Sequence, residues 1–200
     1  EKEGYGIAFL DMSTGEFLVA QGDINYTGKL LKGLAPKEVI FPKTSGKRLG
    51  GFLDNGIYTY PLEDWAFSYD FAYELLTEQF GTKNLKGFGI EKLNTGIVAA
   101  GAALHYLKET RHDQSRHISR ISRIDEENHV WLDQFTMHNL ELFSSSNGRS
   151  ATLLSILDRT ISPMGARTLK RWLALPLKDK GMIMERLIPF MNGRKCIYTT

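Results

Sequence analysis

The chain has 200 residues, 42% hydrophobic and 24% charged, enough for one large domain or one domain with part of another. That composition excludes a disordered tail, a collagen-like repeat and a small disulfide scaffold. Twenty-five Lys and Arg against 23 Asp and Glu leave a net charge of +2, too little to announce a nucleic-acid binder.

The lone cysteine, Cys196, can form neither an internal disulfide nor a multi-thiolate metal site. It suits a reducing compartment, and the cytoplasm is the expected location. The longest nearly apolar run, residues 96–107, is interrupted by His105 and falls short of the about 20 residues a membrane span needs. No basic stretch leads into an apolar run near the start, so no signal peptide is expected. The chain begins at Glu1 rather than methionine, which suggests a piece excised from something longer.

Charge is unevenly spread. Residues 1–110 carry 11 Lys and Arg against 14 Asp and Glu, a net of −3. Residues 111–200 carry 14 against 9, a net of +5, and hold ten of the eleven arginines. We read this as two domains of different composition, with polar residues 111–117 as a candidate transition.

The first part predicts α/β structure. Residues 5–10 and 16–20 are short apolar runs joined by Asp11-Met-Ser-Thr-Gly15, whose Asp, Ser and Gly are turn residues, so a β-hairpin is expected. Both faces of each strand are apolar, as in a sheet covered on both sides. A helix over 26–34, then Pro36 and a strand over 38–41, give a β-α-β rhythm. Residues 57–60 form another strand. Ser68 to Phe80 has helical spacing at Phe71, Leu75, Leu76 and Phe80, with Gly81 as its stop. Asn94 or Thr95 caps a helix to about Thr110 with a stripe of Ile97, Gly101, Leu104 and Leu107. Its alanines and Gly101 let it approach a sheet closely.

From Trp131 the pattern turns helical. Asp133 can cap residues 134–143, and Asn147-Gly148 is a break. Residues 151–158 are apolar on one side. Ser162-Pro163 is a strong helix start, a capping hydroxyl before proline at the first helical position. Met164, Leu169, Trp172 and Leu173 form the expected buried stripe, and Pro176 ends or bends the helix.

Motifs for chemistry are sparse. The chain has no Gly-x4-Gly-Lys-Ser/Thr, no three-glycine dinucleotide fingerprint and no Gly-x-Ser-x-Gly. Histidines 105, 112, 117, 129 and 138 fall in no metal-ligand spacing and read as surface or packing residues. Asp11 ends the first strand, where a two-metal nuclease carries a carboxylate, with Glu38, Asp64 and Asp70 as available partners. An Asx cap on the turn amides is the preferred role for Asp11. Arg116, Arg120 and Arg123 lie among Ile118, Ile121 and Ile124. They read as a solvated face flanking buried isoleucines, since no aromatic platform interleaves with them.

Several stretches together carry a resemblance. Leu132-Asp-Gln-Phe-Thr-Met-His-Asn-Leu-Glu-Leu-Phe143 is similar to the opening of the core domain of the MutS family of mismatch-repair proteins. Thr152-Leu-Leu-Ser-Ile-Leu-Asp-Arg-Thr-Ile-Ser-Pro-Met-Gly-Ala-Arg167 is closer still, and the match continues through Thr168-Leu-Lys-Arg-Trp-Leu-Ala-Leu-Pro-Leu177. Leu10-Asp-Met-Ser-Thr-Gly-Glu-Phe17 and Phe80-Gly-Thr-Lys-Asn-Leu-Lys-Gly-Phe-Gly-Ile90 resemble segments of the family's connector domain. The resemblance spans roughly residues 5–187. Residues 183–187 still resemble the family's next helix, but residues 188–200 depart from it. There Pro189 and Asn192-Gly193 oppose a helix.

The resemblance implies an α/β connector of ribonuclease H-like fold over residues 1–131, a mixed sheet with flanking helices. An incomplete all-α core segment follows over 132–200. It implies a non-enzymatic middle piece of a protein that, when whole, binds mismatched DNA as a homodimer, uses ATP with Mg²⁺ and recruits MutL. Neither the family's Phe-x-Glu wedge nor its P-loop occurs here, so no catalytic, cofactor-binding or metal-binding residue carries over. The residues expected to matter are structural: Asp11, Gly15, Ser162, Pro163, Gly165, Leu169, Trp172 and Leu173. The alternatives are a ribonuclease H-like metal-dependent nuclease and a stand-alone helical DNA-binding module.

Overall fold

The computed structural model describes residues 4–46, 57–110, 117–125, 128–130, 132, 134–143 and 151–196. The chain divides into two compact units, residues 1–124 and 125–200.

The first unit opens with β1 (Tyr5–Asp11) and β2 (Glu16–Gly22), paired antiparallel with Asp11 opposite Glu16. A two-residue strand, β5 (Ser122–Arg123), pairs parallel to β2 on its other side. Helix α1 (Ile24–Leu34) follows β2, its first turn capped by Asp23, whose carboxylate accepts from the Tyr26 N–H. Strands β3 (Glu38–Pro42) and β4 (Tyr58–Leu62) form a separate parallel pair. The expected β-α-β order is therefore present along the chain, but β2 and β3 lie in different sheets. Helices α2 (Tyr69–Phe80) and α3 (Asn94–Thr110) complete the unit. Gly81 ends α2 with a left-handed φ of 61°.

Period-two alternation sorts the hairpin's residues between two faces. Ala8 and Leu10 lie opposite Val19 and Phe17, and this face joins Leu76, Ile97, Leu104, Ile118 and Ile121 in one core. On the other face a Cβ added at Gly22 would stand 2.3 Å from the Tyr26 ring of α1. The sheet is thus covered on both sides, as its doubly apolar strands imply.

Small residues set how closely α3 packs, and here the structure corrects an expectation. A Cβ at Gly101 would lie 2.3 Å from Ala72 Cβ, so Gly101 admits helix α2 rather than the sheet. The approach to the sheet is made at Gly6, where an added Cβ would stand 1.9 Å from the Thr95 carbonyl oxygen, and at Gly96 against Val19. The cap also differs. Gln21 reaches from β2 and its Oε1 accepts from the Thr95 and Gly96 N–H groups at 3.0 and 3.4 Å. A strand side chain thereby satisfies two of the orphan donors at the helix start.

The second unit is helical: α4 (Gln134–Asn139), α5 (Leu153–Leu157), α6 (Pro163–Ala174) and α7 (Lys180–Cys196). Residues 128–130 run alongside 176–178, with Val130 N–H donating to the Pro176 carbonyl at 2.7 Å. Asp133 and Asn147-Gly148 lie outside the described residues. Helix α4 stops at Asn139, short of the expected Phe143. Glu141 takes a left-handed φ of 47°, and the Leu142 N–H folds back to the Met137 carbonyl at 3.1 Å, the closure of a Schellman turn.

Two further expectations are corrected. Helix α7 runs on through Pro189, Asn192 and Gly193. A proline removes one hydrogen bond and crowds one carbonyl, and a 17-residue helix with strong formers before the break absorbs that loss. The α6 stripe is not buried. Met164 is 48% exposed, Leu169, Trp172 and Leu173 are half-buried, and Ala174 is the one fully buried residue of the helix. Amphipathic spacing fixed which face of α6 is apolar, but the described part of this unit is too small to cover it.

Candidate functional site

Asp11 sits at the end of β1. Its Oδ1 accepts from the Ser13 N–H at 2.8 Å, and its carbonyl accepts from the Gly15 N–H at 2.9 Å, an Asx turn closing the hairpin. Gly15 has φ 70°, and an added Cβ would meet the His117 carbonyl oxygen at 2.9 Å, so the position favours glycine twice over. His117 Nε2 lies 2.7 Å from the Met12 carbonyl, tying the turn to the segment before β5.

The other carboxylates weighed with Asp11 are engaged elsewhere. Glu38 accepts from the Tyr106 hydroxyl at 2.5 Å. Asp64 accepts from the Thr44 N–H and hydroxyl at 3.3 and 3.2 Å. Asp70 lies in the first turn of α2. Among the described residues no three His, Cys, Asp or Glu side chains are grouped to hold a metal ion. Ile118, Ile121 and Ile124 are buried while Arg120 and Arg123 are exposed. Arg116 and His112 lie outside the described residues.

In the second unit, Ser162 Oγ accepts from the Gly165 N–H at 3.1 Å with Pro163 at the first helical position. A Cβ at Gly165 would press on Thr160 at 3.1 Å. Just before this cap, Asp158 accepts from the Thr160 hydroxyl at 2.6 Å and its N–H at 3.0 Å, which lowers the Asp158 pKa. On the half-buried stripe, the Arg186 guanidinium stacks 4.9 Å from the Trp172 ring centroid, and burial lowers the arginine's pKa.

One surface was not singled out by sequence reasoning. Tyr60 of β4 stacks on Tyr106 of α3, ring centroids 5.2 Å apart. The Glu38 hydrogen bond, then burial, pushes the Tyr106 pKa up to about 12. One residue along α3, His105 meets Trp65 and Phe71 edge-on at 4.9 and 5.3 Å, and Trp65 meets Phe71 at 5.1 Å. Tyr58, Tyr60 and Trp65 are 64%, 41% and 55% exposed. The two ring clusters thus meet α3 at consecutive positions, about 100° apart around the helix. Glu38 accepts from Tyr106 and Glu109 pairs with His105, while Glu63 and Asp64, just before Trp65 in sequence, are held by Lys43 and Thr44. The available signal was Tyr58-Thr-Tyr60, whose alternation places two rings on one face of a strand.

Comparison with known proteins gives these units a setting. Residues 1–119 match the family model for MutS domain II, and residues 135–188 that for MutS domain III. The DNA mismatch repair protein MutS of Cytophaga hutchinsonii is 52% identical over 187 residues, 94% of this chain and 22% of that protein. Those of Flavobacterium johnsoniae and Bacteroides thetaiotaomicron are 51% and 50% identical over 90% and 93% of this chain, and 21% and 22% of theirs. The chain therefore spans about a fifth of the length of the curated relatives it matches. Among the described residues no helix is long and apolar enough to cross a membrane. With both of its units matched in order, the chain belongs to the MutS family, of which it carries domains II and III.

Proposed function

We propose that this chain is the connector, with the start of the helical core, of a cytoplasmic DNA mismatch repair protein. In the whole protein it joins domains and relays conformational change. The observation that carries this reading is the ordered match to two MutS domains at about half identity over nine-tenths of the chain. Mismatch reading, ATP with Mg²⁺ and homodimerisation then belong to the remaining four-fifths of the protein, and the domain boundary falls near residue 131.

The first unit has a closed core and serves as a rigid body, which a relay between domains needs. We further propose that it offers a surface to MutL, which engages it weakly without ATP or DNA because no switch in this chain must close first. In the whole protein the competent fraction scales the apparent affinity. Titrating the chain with the cognate MutL tests this. Saturable binding without nucleotide is expected. A MutL that ignores this chain yet binds the whole protein would show that the surface is composite and the chain's role architectural.

The same reading fixes the DNA behaviour. The +5 balance of residues 111–200 gives weak, salt-sensitive attraction to phosphates with no preference for a mismatch. Selective retention of a mismatched duplex at moderate salt would place mismatch recognition in these two domains instead.

A further inference from the structure

We propose, on the relay reading above, that Asp125 is the pivot of the chain, the residue at which the first unit turns against the second. Everything just before Asp125 is fastened to the first unit. The Gln79 side-chain amide donates to the Ile118 carbonyl at 3.2 Å, and His117 Nε2 lies 2.7 Å from the Met12 carbonyl. Ile118, Ile121 and Ile124 are buried. Ser122 and Arg123 pair with Leu18 and Val19 of β2. Both backbone groups of Ile124 are spent on the same unit. Its N–H donates to the Val19 carbonyl at 2.9 Å, and its carbonyl accepts from the Tyr26 hydroxyl of α1 at 3.1 Å.

From the Asp125 carbonyl onward the backbone is fastened to the second unit. That carbonyl accepts from the Asn128 N–H at 3.2 Å, and His129 Nδ1 stands 2.9 Å from the same oxygen. The Asn128 carbonyl in turn accepts from the Lys178 N–H at 2.9 Å, and the Val130 N–H donates to the Pro176 carbonyl at 2.7 Å. Residues 128–130 are thereby clipped to the segment between α6 and α7. The peptide unit joining Ile124 to Asp125 is planar and stiff. Between the Ile124 carbonyl, held by Tyr26, and the Asp125 carbonyl, held by Asn128, the soft dihedrals are therefore φ and ψ of Asp125. Rotation about them breaks none of these hydrogen bonds, the property of a hinge residue at the end of an element. The two compact units divide at this same residue. The pivot stands ahead of the domain boundary near residue 131 because residues 128–130 are held by the second unit.

Pulsed electron paramagnetic resonance on the 200-residue chain tests this by the spread of distances between the units. Spin labels are placed by Lys29→Cys on α1 and Glu185→Cys on α7, both exposed positions, in a Cys196→Ser background. Asp125→Gly opens backbone conformations closed to other residues and should broaden the distribution about 1.5-fold over the parent. Val130→Gly, beyond the pivot, should leave the width unchanged. Amide exchange checks the anchors in the unlabelled Asp125→Gly chain, where the Ile124 and Val130 N–H groups should keep their protection to within about twofold. Loss of protection at both would overturn the pivot, since loosening would then have spread into the anchors. A width that Asp125→Gly leaves unchanged would also overturn it. If Val130→Gly widens the distribution instead, the relay reading stands and the joint lies further along the chain. If the parent and both variants show no spread beyond that of the labels themselves, the relay reading falls with the pivot.

Discussion

The two units of this chain meet the same physical demand with different success. In the first, two strands and two helices enclose Phe17, Leu76, Ile97 and Leu104 almost completely, and the large apolar groups left outside are mostly rings: Tyr5, Tyr58, Tyr60, Trp65 and Tyr69. In the second, Ile156, Leu157, Ile161, Met164, Ile183 and Leu187 remain exposed, while Met137, Leu142, Ala174, Leu175 and Leu177 are what is buried. Helical spacing alone makes an apolar stripe, and a stripe gains stability only against a partner surface. The first unit contains its partner surfaces. The second leaves apolar faces open among the described residues.

The comparison predicts unequal costs for equal truncations. Leu104→Ala, which empties a fully buried site, should destabilise the first unit by about 2–5 kcal/mol in chemical denaturation. Ile161→Ala, at a fully exposed site, should change stability by less than about 0.5 kcal/mol. Equal costs would break the distinction. Trp172→Ala sharpens it. Full burial of Trp172 would have made this a cost of about 3–5 kcal/mol. Its half-buried stack on Arg186 reduces the expected cost to about 1–2 kcal/mol, read on the second unit's melting. Ser162→Ala removes the α6 cap and should cost about 1 kcal/mol of that helix, seen as lost helicity by circular dichroism.

A small effect is expected at Tyr106. Tyr106→Phe deletes the hydrogen bond to Glu38, at a half-exposed site worth under about 1 kcal/mol. Its pH signature is distinctive. The folded-state pKa is raised from 10.0 to about 12. The bond's contribution is therefore fully present below the unfolded value and is lost as pH rises through the folded one. A Tyr106→Phe chain should lose that alkaline dependence, measured by denaturation between pH 9 and about 12.

What could be read from residues divides along the same line. The hairpin was legible because Asp11 and Gly15 declare a turn between two apolar runs, and α2 because its spacing ends at Gly81. The Ser162-Pro163 start was legible for the same reason: caps and turns are local chemistry. Gly101 was misassigned because a missing side chain states that something comes close but not whether it is a sheet or a helix. The persistence of α7 through Pro189 was missed because one breaker is a local penalty and helix length is a sum. The exposure of the α6 stripe was not legible from periodicity, which specifies a face and not what covers it; the resemblance to a middle fragment was the one signal that part of this helix could stand exposed. The ring clusters were missed because their members lie from residue 58 to residue 106 and meet in space alone.

Amide hydrogen exchange on the intact 200-residue chain tests the central claim most directly. Local opening costs span from near zero to the global value, according to how much buried contact each segment holds. The account predicts that β1, β2 and α3 exchange slowest and together, near the global stability of the first unit. The amides of α4, α5 and α6 should exchange faster by orders of magnitude. Protection in α6 equal to that in α3 would contradict it, because a half-exposed stripe would then be holding its helix as firmly as a closed core.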